Sequence, residues 1–178
     1  MKIPVLRQAW IGVCMFIAVA GYAQQFTNDR IYKSYLKIQE ATTDGKFAEA
    51  LEGINKLADY KTVPIETAAI QRARGFILLN LDREPEAAEA FKIALAQGEL
   101  NNFMTQEMKY IIANLHAGES QWEEAFNVYK EWLDNALAYQ AQYEQTQNED
   151  YNVTQPDSDS YRLGAAIAAS VNNFPYAI

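Results

Sequence analysis

The sequence predicts an all-α fold of antiparallel helix pairs, about three and a half copies of one repeating unit. Three observations carry this. From Asn28 to Ala136 apolar residues recur at steps of three and four, and no stretch alternates apolar and polar as a half-buried strand does. Turn residues interrupt the pattern at short intervals, at Asp44-Gly45, Asn80 to Pro85, Gly98 to Asn102 and Gly118 to Ser120. Finally, GKFAEALEGINKLA from Gly45, REPEAAEAFKIALA from Arg83 and SQWEEAFNVYKEWL from Ser120 align with Ala50, Ala87 and Ala125 in register, at spacings of 37 and 38 residues.

At the N-terminus Lys2 and Arg7 flank or precede an apolar stretch from Ala9 to Ala20, and Gly21-Tyr22-Ala23 places small residues where a signal peptidase reads. Residues 1–23 are therefore expected to be a signal peptide cleaved after Ala23. The apolar run is short for a bilayer span, is followed by the polar QQFTNDR, and places Cys14 after Val13, where a lipoprotein signal wants a small residue. Residues 24–178 are expected to form one helical repeat domain without cysteine, held by packing alone, which suits a bacterial periplasm. Its formal charge would be −10, and so acidic a surface speaks against nucleic acid and anionic lipid as partners. No membrane insertion is expected once the signal is removed. Asn152-Val-Thr would be a glycosylation acceptor only in a eukaryotic secretory pathway.

The helices pair as 28–43 with 46–60, 64–80 with 84–97, and 102–117 with 121–145, giving repeats at roughly 28–63, 64–101 and 102–145. Asp44-Gly45 stops the first helix, and Pro64 suits the first turn of the third, where its missing amide is no loss. Ser120 and Glu123 have capping-box spacing, which predicts that they start the sixth helix. That helix presents Trp122, Phe126, Tyr129, Trp132 and Leu133 on one side. They are expected to pack on the preceding helix through Ile112, Ala113 and Leu115, and on a following helix around Tyr161 to Ala168. Residues 146–157 are polar, hold Pro156 and break the period, so a mobile loop is expected there, with Tyr139, Tyr143 and Tyr151 as a docking arm in the alternative. Asp157-Ser-Asp-Ser reads as a cap for the helix carrying Tyr161. NNFPYAI then starts a partial fourth repeat, 158–178, with Phe174 and Ala177 where Trp122 and Ala125 stand. A half repeat leaves an apolar face without its partner, so the sequence is read as a fragment or variant of a longer protein, with a partner covering that end as the alternative.

A small residue near the end of the first helix, an aromatic and an alanine opening the second, an aromatic four residues later and a period near 34 residues together resemble the tetratricopeptide repeat. The resemblance covers most of residues 24–178. It implies a right-handed solenoid whose first helices line a concave groove for a partner's peptide or helix. The longer period, Glu84 in place of an aromatic and the mostly missing final proline depart from the family pattern and bear on the register. IQRARGFILLNLDREPEAAEAFKIAL and QEMKYIIANLHAGESQWEEAFNVYKEWL are similar to repeats of small exported tetratricopeptide proteins that accompany TonB-type energy-transduction systems. That implies a periplasmic accessory protein in uptake across an outer membrane. A cell-envelope scaffold for peptidoglycan or outer-membrane assembly, or the repeat region of a longer exported enzyme, would share the same features.

Little in the sequence suggests catalysis. His116 is the single histidine and stands at a core-aromatic position, and DSDS lacks the glycine and distal glutamate of a calcium loop. There is no glycine-rich phosphate loop and no histidine pair for zinc, so neither cofactor nor metal nor enzymatic activity is expected. The expected groove positions are Tyr35, Gln39, Arg72, Phe76, Leu79, Tyr110, Asn114 and Arg162, with the two arginines for a partner's carboxylates and Phe76 and Tyr110 for apolar side chains. Packing between neighbouring helices, or bridging to surface glutamates, is the competing role for each. Arg72→Glu is expected to abolish binding and leave the fold unaltered.

Overall fold

A computed structural model describes residues 26–172. Among these residues the chain is all-helical, with seven α-helices, one short 3-10 turn and no strand. In order they are α1 (Asp29–Thr43), α2 (Phe47–Ala58), α3 (Pro64–Asn80), α4 (Glu84–Ala96), α5 (Asn102–Gly118), α6 (Trp122–Thr146), the 3-10 turn Glu149–Tyr151, and α7 (Ser158–Ser170). The described residues divide into two compact units, 26–100 and 101–172. In the first, α1 packs on α2, α2 on α3 and α3 on α4; in the second, α5 packs on α6 and α6 on α7. The signal segment 1–23 and the final Phe174 and Ala177 lie outside the described residues.

The same corner closes three of these pairs. Gly45, Asp82 and Ser120 stand in the left-handed region, at φ of 74°, 56° and 60°. Each stops a helix in the same way. The amide of Gly45 donates to Thr42 O and that of Lys46 to Ala41 O; Asp82 and Arg83 bond to Leu79 O and Leu78 O, and Ser120 and Gln121 to Ala117 O and His116 O. This doubled return satisfies the last orphan carbonyls of a helix and turns the chain back sharply. The next residue then caps the second helix with nearly the same backbone each time, Lys46 at φ −84°, ψ 56°, Arg83 at −102°, 59° and Gln121 at −85°, 69°. Its carbonyl accepts the first helical bond from Ala50, Ala87 or Ala125, the alanines of the sequence repeat. All three alanines are buried. Asn172, 52 residues after Ser120, has φ 56° and donates to Ala169 O, the start of the same corner once more.

Ser120 is therefore not a cap. The left-handed backbone that ends α5 removes it from the N-cap position, Gln121 takes that place without a side-chain bond, and α6 begins at Trp122. The other expected helix starts hold: Pro64 is the first residue of α3, and Asp157 caps α7 by accepting from the amide of Ser160 at 2.8 Å, while its own amide donates to the Ser160 hydroxyl oxygen.

Close approach of the paired helices is bought by small residues. A Cβ on Gly75 of α3 would stand 2.5 Å from Phe91 of α4, and one on Gly164 of α7 would overlap the phenol of Tyr129 of α6. The ring-bearing face of α6 packs as expected on both neighbours, through the expected Ala113 together with Ala117 and Tyr110 of α5, and through Leu163, Ile167 and Ala168 of α7. Ile112 and Leu115 are buried yet outside this cluster. Successive helical residues are turned by about 100°, so Ala113 and Ile112 face different neighbours.

Segment 146–157 is irregular apart from the 3-10 turn, and it makes contacts with its own unit. Gln147 ends α6 in the left-handed region, Asn102 Nδ2 donates to Asp150 O at 2.8 Å, and Val153 is 4% exposed. Tyr139 stacks on Tyr151 at 5.9 Å between centroids, and the Tyr143 hydroxyl reaches Glu149 at 3.4 Å. The three tyrosines hold the segment against its own helix and do not extend from it as an arm.

Candidate partner-binding site

Five of the expected groove residues stand in the unit 26–100. Tyr35 on α1 is 3% exposed, with its ring 4.9 Å from that of Phe26, which precedes the helix. Gln39, one turn on, is half-exposed. On α3, Arg72, Phe76 and Leu79 follow at steps of four and three, so they share a face. The guanidinium carbon of Arg72 lies 5.0 Å from the Phe76 ring centroid, and Phe76 meets Phe91 edge-on at 5.1 Å. A cation over the electron-rich face of a ring and an edge-to-face pair of rings are each favourable contacts in a partly dry site. Arg72 is only 9% exposed. Arg72→Glu would thus set a carboxylate into a closed position and disturb the fold, contrary to the expectation of a clean surface change. Leu79 and Phe76 stay half-buried, with faces open to a partner.

The remaining three stand in the unit 101–172. The half-buried ring of Tyr110 on α5 tilts over Trp132 at 4.7 Å, and Trp132 in turn lies 5.4 Å from Tyr129. Burial pushes the Tyr110 phenol up, contact with Asn114 draws it partly back, and the carboxylates of Asp157 and Asp159 push it up further. Those two acids stand at the start of α7, so the structure brings the head of α7 into the neighbourhood of Tyr110. Asn114 Nδ2 donates to the Tyr110 carbonyl at 2.9 Å, a bond within α5. Arg162 is exposed and ion-paired with Asp159. The result is an aromatic edge beside an amide and a dissociable ion pair, chemistry suited to a peptide's apolar side chains and backbone.

The sequence reading missed Asp157 and Asp159 as neighbours of Tyr110; their position after a long irregular segment gives no periodic signal. It missed Glu66 as well. That side chain is 1% exposed, and it accepts from the Thr27 amide at 2.7 Å, the Thr27 hydroxyl at 2.8 Å and the Val63 amide at 3.2 Å, fastening the residues just before α1 to α3. His116 is buried, with Nδ1 against Gln121 Oε1, at the same corner where Gln121 N bonds His116 O at 2.8 Å. Among the described residues no group of three His, Cys, Asp or Glu is arranged to hold a metal ion, and no helix is long and apolar enough to cross a membrane. No family model, no curated protein and no solved structure matches the chain.

Proposed function

We propose that the chain is an exported adaptor of the tetratricopeptide type that holds a peptide or helix segment of another protein in the periplasm, as an accessory to a TonB-type uptake system. The observation that supports it is the recurrent corner: left-handed Gly45, Asp82 and Ser120, each followed by the same cap and then by a buried alanine, at the 37- and 38-residue spacing of the sequence repeat. A repeat of this kind exposes a series of first-helix faces to a ligand. In residues 26–100 the contact residues are Gln39 on α1 and, on α3, Leu79 and Phe76, the last beside the Arg72 guanidinium. In residues 101–172 it is Tyr110, Asn114 and Arg162.

Photo-crosslinking tests the reading. A benzophenone amino acid placed at Gln39 or at Arg162 in cells is expected to give an adduct with one envelope protein, a TonB-type component. Placed at the exposed Lys92 of α4, it is expected to give none. Equal adducts from all three positions, or none from any, would remove the adaptor reading. Export has its own check, because N-terminal sequencing of protein from the periplasmic fraction should begin at Gln24.

A further inference from the structure

We infer that Asn152 is the acceptor of an N-linked oligosaccharide, transferred to it in the periplasm by a membrane-bound oligosaccharyltransferase of the bacterial class. The inference rests on the export reading above and adds a modification to it. Asn152-Val153-Thr154 is the one place in the sequence where serine or threonine follows an asparagine two residues on. Alone, that triplet reads as an acceptor only in a eukaryotic pathway. Enzymes of the bacterial class also require a carboxylate two residues before the asparagine, and Asp150 stands there.

The fold presents these three residues and turns the two between them inward. Asp150, Asn152 and Thr154 are exposed, whereas Tyr151 is half-buried with its ring 5.9 Å from that of Tyr139, and Val153 is buried. The side chains that an enzyme would read therefore all face solvent, and the spacers anchor the segment behind them. Asn152 is also the middle residue of an inverse γ-turn, at φ −79° and ψ 82°, closed by the Val153 amide donating to the Tyr151 carbonyl at 3.0 Å. A middle side chain projects outward from so tight a turn, which leaves its amide open to a second molecule. Asn152 Nδ2 does donate to Glu149 Oε2 at 2.9 Å, but that bond is exposed and exchanges with water at little cost. In the transfer, Nδ2 attacks C1 of the first sugar of a polyprenyl-pyrophosphate-linked oligosaccharide. The bond from C1 to the pyrophosphate oxygen breaks, polyprenyl pyrophosphate leaves with the electron pair, and Nδ2 gives up one proton.

The experiment expresses the full chain in cells together with a bacterial oligosaccharyltransferase and its polyprenyl-linked oligosaccharide, then reads each cell fraction by intact mass and N-terminal sequencing. The periplasmic chain is expected to begin at Gln24 and to be heavier by one oligosaccharide, which peptide mapping places on Asn152. Asn152→Gln, Thr154→Ala and Asp150→Ala should each remove the added mass. Misfolding would only open the segment further, so its loss in these variants reports recognition. A chain that begins at Gln24 but is bare would overturn the inference and leave export standing, whereas an uncleaved chain in the cytoplasm would remove both. Bare chain from cells without the enzyme, mixed with enzyme and oligosaccharide in detergent, should be modified while folded. Transfer to a peptide of residues 146–157 but not to the folded chain, or an oligosaccharide that survives Asp150→Ala, would overturn the inference as well.

Discussion

A methyl group at Gly75 would press on the Phe91 ring, and one at Gly164 on the Tyr129 ring. Both rings are almost wholly buried, so neither has room to swing away. Alanine is the better helix former by about 1 kcal/mol, but overpacking a closed contact costs about 1–3 kcal/mol, and the second effect should win. Gly75→Ala and Gly164→Ala are each expected to lower the urea midpoint, and a raised midpoint would mean that the helices part without cost. The left-handed corners predict the opposite sign. Ser120→Gly relieves a strained non-glycine backbone and should stabilise by about 1 kcal/mol, Asp82→Gly by less because aspartate tolerates this region, and Gly45→Ala should destabilise. The ranking of the three midpoints is the check. Tyr129 adds a polar residue-scale term: its hydroxyl donates to Ser160 O at 2.8 Å, and burial pushes its phenol up, so it stays protonated and donating throughout the neutral range.

Helix α6 shows what packing adds to a pattern. Its two tryptophans look equivalent in sequence, yet Trp132 is 3% exposed between Tyr110 and Tyr129, while Trp122 sits partly buried at the edge of the cluster. Trp132→Ala should therefore cost about 3–5 kcal/mol, and Trp122→Ala about 1–2 kcal/mol from lost apolar burial. Thermal melts that rank them the other way would contradict this core. Helix limits were legible to within a residue or two because Asp44-Gly45, Pro64 and Asp157 act locally, through backbone preference and capping that no distant contact overrides. The role of Ser120 was not, since a hydroxyl before Glu123 reads as a cap whatever its φ. The burial of Val153 was not legible either, since one buried valine among polar neighbours carries no periodicity. In the candidate site, the helical steps of Arg72, Phe76 and Leu79 were readable. The closure of Tyr35 by Phe26 was not, because Phe26 precedes the first helix and belongs to no repeat.

Across the whole molecule, acidic charge and acidic hydrogen bonding respond oppositely to falling pH. The chain carries a formal charge of −8 and has a pI near 4.7, so mild acidification relieves repulsion and should leave stability level or slightly higher. Against this stand two carboxylates whose folded form prefers to be ionised. Burial works to raise Glu66, but donations from the Thr27 amide and hydroxyl and from the Val63 and Asn28 amides outweigh it and hold its carboxyl below the ordinary value. The Ser160 amide does the same for Asp157 at the head of α7. A carboxyl depressed by folding contributes stability that is fully present above its unfolded value and is lost as pH falls through its folded value. Stability should therefore hold from pH 7 to about 5 and fall steeply below about 4. Glu66→Gln separates the two effects. It keeps the size of the side chain but gives up charge-assisted bonds linking residues 39 apart in sequence, at a cost of about 1–2 kcal/mol near neutral pH. Because protonation removes the same bonds from the wild type, the two unfolding curves should converge as pH falls below 4. A gap of constant size across that range would mean that Glu66 is not ionised in the folded chain.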